Sequence, residues 1–164
     1  MKTRRRAREG VLQGLYQCDA LGDWSTECLD LYFSTFQKEA LASEDLALQD
    51  NLQFARKLAD GVVACLEFID TQISSASERW SISKMSLVDR NILRMATFEI
   101  FFLDEIPTNV TLNEAIEIAK RFGSADTPNF VNGVLDKIAT TVALNPQLKD
   151  SDLSEEHKFY TGSF

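Results

Sequence analysis

Four arginines occupy five positions near the start of the chain, Arg4, Arg5, Arg6 and Arg8, and form its densest group of side chains able to act on a ligand. A guanidinium grips a phosphate through two parallel hydrogen bonds and stacks on a base, and a helix N-terminus adds positive potential from its free amides. Gln13 and Tyr16 follow on the polar face of the same segment. An amide can read a base edge, and a phenol ring offers a stacking platform. These six residues together describe a grip for single-stranded RNA. The competing reading is a solvated basic start on an ordinary exposed helix, tolerated at mild cost against the helix dipole.

Other patterns carry less. Lys84-Met85-Ser86 is three residues of a nucleotide-binding loop without the rest of the motif, and Asn109-Val110-Thr111 fits a glycosylation sequon whose threonine is better used as a helix cap. Neighbouring carboxylates such as Glu44 with Asp45, or Glu155 with Glu156, diverge on a helix and cannot converge on one substrate atom. Cys18, Cys28 and Cys65 are odd in number and lack metal-ligand spacing, so they read as reduced, mostly packed thiols. The one histidine, His157, supports neither a His-rich metal site nor most hydrolase chemistries. No glycine-rich phosphate loop is present, so the expectation is a non-enzyme with no metal and no cofactor.

The elements that must position the arginines are helices. Ala7, Val11, Leu12, Leu15 and Cys18 form one apolar stripe over residues 4–20, and Leu21-Gly22-Asp23 reads as a cap and turn. Leu29, Phe33 and Phe36 mark a second helix to about Leu41, and Ser43 opens a third. The stretch from about Asp45 to Ser77 keeps the helical period, with a kink or a join of two helices expected near Gly61 and Val62. Leu87 to Leu103 is apolar nearly all round and should be a buried central helix, whose charges Asp89, Arg90, Arg94 and Glu99 then need partners. Thr111-Leu112-Asn113-Glu114 has the form of a capping box, with Gly123 at the position past the end of that helix. Thr127 as cap and Pro128 at the first helical position open the last helix, which runs to Asn145-Pro146. No strand pair and no fixed-period repeat appears, so the fold is all-α with about seven helices.

With 164 residues, 45% of them hydrophobic and 26% charged, the chain suits one domain, 1–146, followed by a polar tail, 147–164, expected to fray. No apolar run approaches the ~18 residues of a membrane span, and the basic, amphipathic start lacks a signal peptide's apolar stretch, so the expected location is the cytoplasm with no membrane partner. Charge is uneven: residues 1–10 carry +4 within a chain of net −8, which leaves −12 for the rest. An acidic body repels a phosphate backbone, so any contact with nucleic acid must be local.

Further motifs accompany the arm: Leu15-Tyr16, Trp80, the run from Asp89 to Glu99, Ile106-Pro107, Asn113 to Gly123, and Phe130-Val131-Asn132-Gly133-Val134-Leu135-Asp136. In this combination the chain closely resembles the bacterial transcription antitermination factor NusB family, over about Arg4 to Ala139 and most strongly from Trp80 onward. The resemblance implies two packed helical bundles and no catalysis. It also implies binding of the boxA element of nascent ribosomal RNA together with NusE, a small-subunit ribosomal protein, and loading onto RNA polymerase with other Nus factors. By position, Arg4, Arg5, Arg6 and Arg8 match the family's arginine-rich arm and Tyr16 its neighbouring aromatic. Asp126 and Phe130 match its RNA-facing surface, and Asp89, with Arg90 beside it, matches positions turned towards NusE. Family members occur as monomers and as homodimers that hide the RNA surface. The same fold leads some ribosomal RNA methyltransferases, but with no cofactor-binding domain within these 164 residues the expectation is not a methyltransferase. The rival reading is a helical adaptor that binds protein without recognising RNA; it would keep Asp89 but has no need of the arginines.

Overall fold

The computed structural model describes residues 2–42 and 46–151. All regular structure among them is helical: α1 (Lys2–Leu21), α2 (Thr26–Ala42), α3 (Leu46–Ala64), α4 (Leu66–Ala76), α5 (Leu87–Phe102), α6 (Thr108–Phe122), α7 (Thr127–Leu144) and the short α8 (Leu148–Ser151), with a 3-10 turn at Ile82–Lys84. Helices α1 to α3 pack on one another as one bundle and α4 to α7 as a second. Helix α5 touches both, contacting α1 and α3 on one side and α4, α6 and α7 on the other. It is accordingly buried continuously from Asn91 to Phe102.

The stripe expected on α1 is the stripe buried, since Val11, Leu12, Leu15 and Cys18 are all inaccessible. Gly22 ends α1 at φ +63°, where a side chain would be strained, and the Gly22 and Asp23 amides donate to the carbonyls of Asp19 and Cys18. The long third segment divides at Cys65 rather than at Gly61 or Val62. Gly61 serves contact instead: a Cβ there would lie 2.2 Å from the Phe98 ring, so glycine lets α3 close on α5. Phe98 in turn stacks on Phe102, and Phe68 meets both Phe101 and Phe102 edge-on.

Three local expectations need correction. Helix α6 starts at Thr108, so Thr111 and Glu114 lie inside it and form no capping box; both reach across to other helices. Gly123 caps α6 with extended backbone rather than a left-handed turn, and its lack of a side chain makes room for Thr127, 2.5 Å from where a Cβ would sit. Thr127 is the first residue of α7 rather than its cap; its hydroxyl accepts from the Ser124 amide and donates to Asp89. The tail begins docked, because Leu148 packs on the core and Lys149 pairs with Asp104 at 2.7 Å. The opening of α3 at Ser43 and the tail from 152 onward, with His157, Glu155 and Glu156, lie outside the described residues. All three cysteines are free and buried, and the Cys18 and Cys28 thiols meet at 3.0 Å between α1 and α2.

Candidate nucleic-acid interface

The four arginines of α1 divide by helical phase. Arg8 stands four and seven residues before Leu12 and Leu15, so it falls on the buried stripe. It is 2% exposed, and its Nε and Nη2 donate to the two oxygens of Glu99 at 2.8 and 2.7 Å. Thr111 donates a third hydrogen bond to the same carboxylate at 3.1 Å. Arg5 lies at the stripe's edge and makes a matching two-point contact with Glu114, at 2.7 and 2.9 Å. That contact holds the Glu114 carboxyl below its ordinary range against the opposing effect of burial. Arg8 is therefore corrected from an RNA contact to a structural residue: its guanidinium is enclosed, and exposing it would strand a buried carboxylate. Arg5 is half committed in the same way.

Arg4 and Arg6 are exposed. Arg4 places its guanidinium 4.7 Å above the Phe54 ring of α3, which steadies its stem while leaving the charge in water. Arg6 has no ion-pair partner among the described residues. Gln13 is two turns further along the face that Arg6 occupies, and its side-chain carbonyl accepts from the Tyr32 hydroxyl of α2 at 2.8 Å. Tyr16 is exposed one turn beyond Gln13. From Arg6 to Tyr16 is about 15 Å of helix rise, so Arg6, Gln13 and Tyr16 form a line along one face of a rigid rod, while Arg4, two residues before Arg6, falls on the side turned towards α3. Arg121 stands beside this line with its charge in water, anchored to Glu9 of α1 at 2.8 Å. Arg121 lies in the last turn of α6, where cations suit the helix dipole.

The far end of α1 meets the start of α5. Asp19 accepts from Arg90, Asn91 and Arg94, and Arg94 also holds Asp70 of α4 through two bonds of 2.8 and 2.9 Å. Burial pushes the Asp19 carboxyl up, but the hydrogen bonds from Arg90 and Asn91 and the charge of Arg94 leave it below the ordinary range. Arg90, expected beside Asp89 as a partner contact, directs three of its N–H donors inward, two to Asp19 and one to the Ile82 carbonyl. Asp89 points the other way. One oxygen takes the Thr127 hydroxyl at 2.8 Å, the other has no partner among the described residues, and this bond ties Asp89 to the α7 start where Asp126 lies exposed. Phe130, one turn on, is half-buried against the core, with one side in an open groove. Asp89, Asp126 and Phe130 thus gather at one end of the bundle, and the arm lies at the other end of α1.

A model of the NusB family matches residues 5–140. The chain belongs to the NusB family. It is 44% identical over 142 residues to the transcription antitermination protein NusB of Geotalea daltonii, an alignment covering 87% of this chain and 97% of that one. To the protein of that name from Desulfitobacterium hafniense it is 41% identical over 157 residues, 94% and 99% of the two chains. Among solved structures, T. maritima NusB superposes with a TM-score of 0.67 at 38% identity, over 84% of this chain and 90% of that one. A NusB chain from a complex of the antitermination factors NusB and NusE with double-stranded RNA superposes at 0.71 with 27% identity, over 86% and 98%. The two-bundle NusB fold and the family expected from the motifs are therefore established. No helix among the described residues is long and apolar enough to cross a membrane, and no cluster there could hold a metal ion.

Proposed function

We propose that this chain is a transcription antitermination factor that binds the boxA element of nascent ribosomal RNA jointly with NusE and helps assemble a complex with RNA polymerase and other Nus factors in the cytoplasm. The observation that carries the reading is the division of the arm: Arg5 and Arg8 are anchored to Glu114 and Glu99, and the same helix presents Arg4 and Arg6 to solvent. A rod fixed this firmly loses little freedom when phosphates dock on it. Arg4, Arg6 and Arg5's outer edge take the backbone, and Gln13 and Tyr16 meet bases that have left their stack. Asp126 and Phe130 meet RNA at the other end.

The acidic body then has a use. It attracts a basic partner at Asp89, and the partner adds RNA-binding surface of its own. Two weak grips on one strand act as one tight grip because each raises the effective concentration of the other. The role is scaffolding, without a chemical step on the RNA.

The test is fluorescence anisotropy of a labelled boxA RNA and a scrambled control, each with and without NusE, at two salt concentrations. Tighter binding of boxA in the presence of NusE supports the reading. Binding of NusE with indifference to RNA in every mixture rejects it in favour of a protein-only adaptor.

A further inference from the structure

Trp80 is half exposed on the short link between α4 and the 3-10 turn. The link is held in shape by the Ser77 hydroxyl, which donates to the Trp80 carbonyl at 2.9 Å. Across an open groove of about 380 Å³ stands Phe130 of α7, and the groove wall between them includes Gly133. Gly133 has no packing reason to be glycine: a Cβ there would meet nothing within 4 Å, and its φ is not in the left-handed region. Glycine inside a helix is costly, so its use at an uncrowded place suits close approach by something outside the chain.

The charges around the groove select the visitor. Glu78 is neutralised by Lys137 at 2.6 Å, which leaves Arg79 on the rim with no ion-pair partner among the described residues. A basic protein segment would be repelled by Arg79, whereas a nucleotide brings a flat base for the two rings and a phosphate for the guanidinium. We propose that the groove between Trp80 and Phe130, walled by Gly133 and rimmed by Arg79, is a stacking site for an unpaired RNA base. It prolongs the RNA path past Asp126 and Phe130 and rests on the RNA-binding reading above.

The chain has two tryptophans, so Trp24→Phe leaves Trp80 as the sole indole emitter. Titrating this variant, with NusE present, with a twelve-nucleotide boxA RNA should quench that emission as a base stacks. Trp80→Ala and Gly133→Leu should each weaken RNA binding about tenfold. Gly133→Leu should do so with an unchanged or raised Tm, since leucine favours helix and the site is open. Unchanged emission together with wild-type affinity in both variants, while Arg4→Ala/Arg6→Ala loses affinity, overturns the groove and leaves the RNA reading standing. Absence of RNA binding by the unsubstituted chain with NusE removes both. Loss of NusE binding by the groove variants, with RNA contact intact, makes the groove a protein-docking site and overturns the proposal.

Discussion

At its N-terminal end α1 brings the cation to α5 and meets an anion, Arg8 on Glu99; eleven residues later α1 brings the anion, Asp19, to the cations Arg90 and Arg94. The two ends of this seam also differ in what they leave over. At the Asp19 end one carboxylate serves two guanidinium groups and Asp70 completes the set, so little charge is spare. At the Arg8 end each buried carboxylate takes one arginine, and Arg4 and Arg6 remain unpaired. Surplus after internal pairing, rather than the count of arginines, decides which end can hold a phosphate.

The sharpest way to break this contrast is to remove Arg8. Arg8→Ala should destabilise the fold by about 3–5 kcal/mol in urea titrations, because Glu99 is then buried and unpaired. The double variant Arg8→Met/Glu99→Leu should recover most of that loss. A second cut, Asp19→Ala, should cost about 2 kcal/mol by the same measurement, less than Arg8→Ala because Arg94 keeps Asp70. The third acts on ligand instead of fold. Arg4→Ala/Arg6→Ala should leave stability within about 1 kcal/mol of the parent. It should weaken RNA binding and lower the slope of log K against log salt by about 1.4, the value for two phosphate contacts on a single strand. A reversal, with Arg8 governing RNA affinity at constant stability, would erase the distinction between the two kinds of arginine.

The mildest effect is on pH dependence and concerns both ends. Asp19 and Glu114 have folded-state pKa values below their ordinary ones. Their stabilisation is present above the unfolded value of about 4 and is lost as pH falls through the folded values. Tm should therefore decline below about pH 4, and Asp19→Asn should flatten part of that decline. A Tm profile from pH 3 to 7 tests it.

Much of the architecture was legible because apolar spacing reports burial directly: the stripe on α1, the all-round apolar α5 and the Gly22 cap were readable without coordinates. Pairing across helices was not. Thr111 and Glu114 have capping-box spacing, yet their partners are Glu99 and Arg5, one of them 109 residues away, and no local pattern encodes such a contact. Arg8 was misread for a simpler reason. Its phase with Leu12 and Leu15 marks it as inward-facing, but four arginines in five positions invite treatment as one group. The break at Cys65 was displaced because Gly61, a residue that suggests a kink, is there to admit Phe98.

The length of the loop that each arm pairing closes has a consequence in time. Arg8 and Glu99 are 91 residues apart in the chain, and Arg5 and Glu114 are 109 apart. During synthesis the arm is thus made well before its anions, with Arg5 and Arg8 uncompensated as well as Arg4 and Arg6 until most of the second bundle exists. Contacts this distant in sequence close slowly. An unfinished chain that stops before α6 therefore exposes a more basic, less discriminating arm than the finished one, and completion of the fold is the event that turns a general polycation into a selective one.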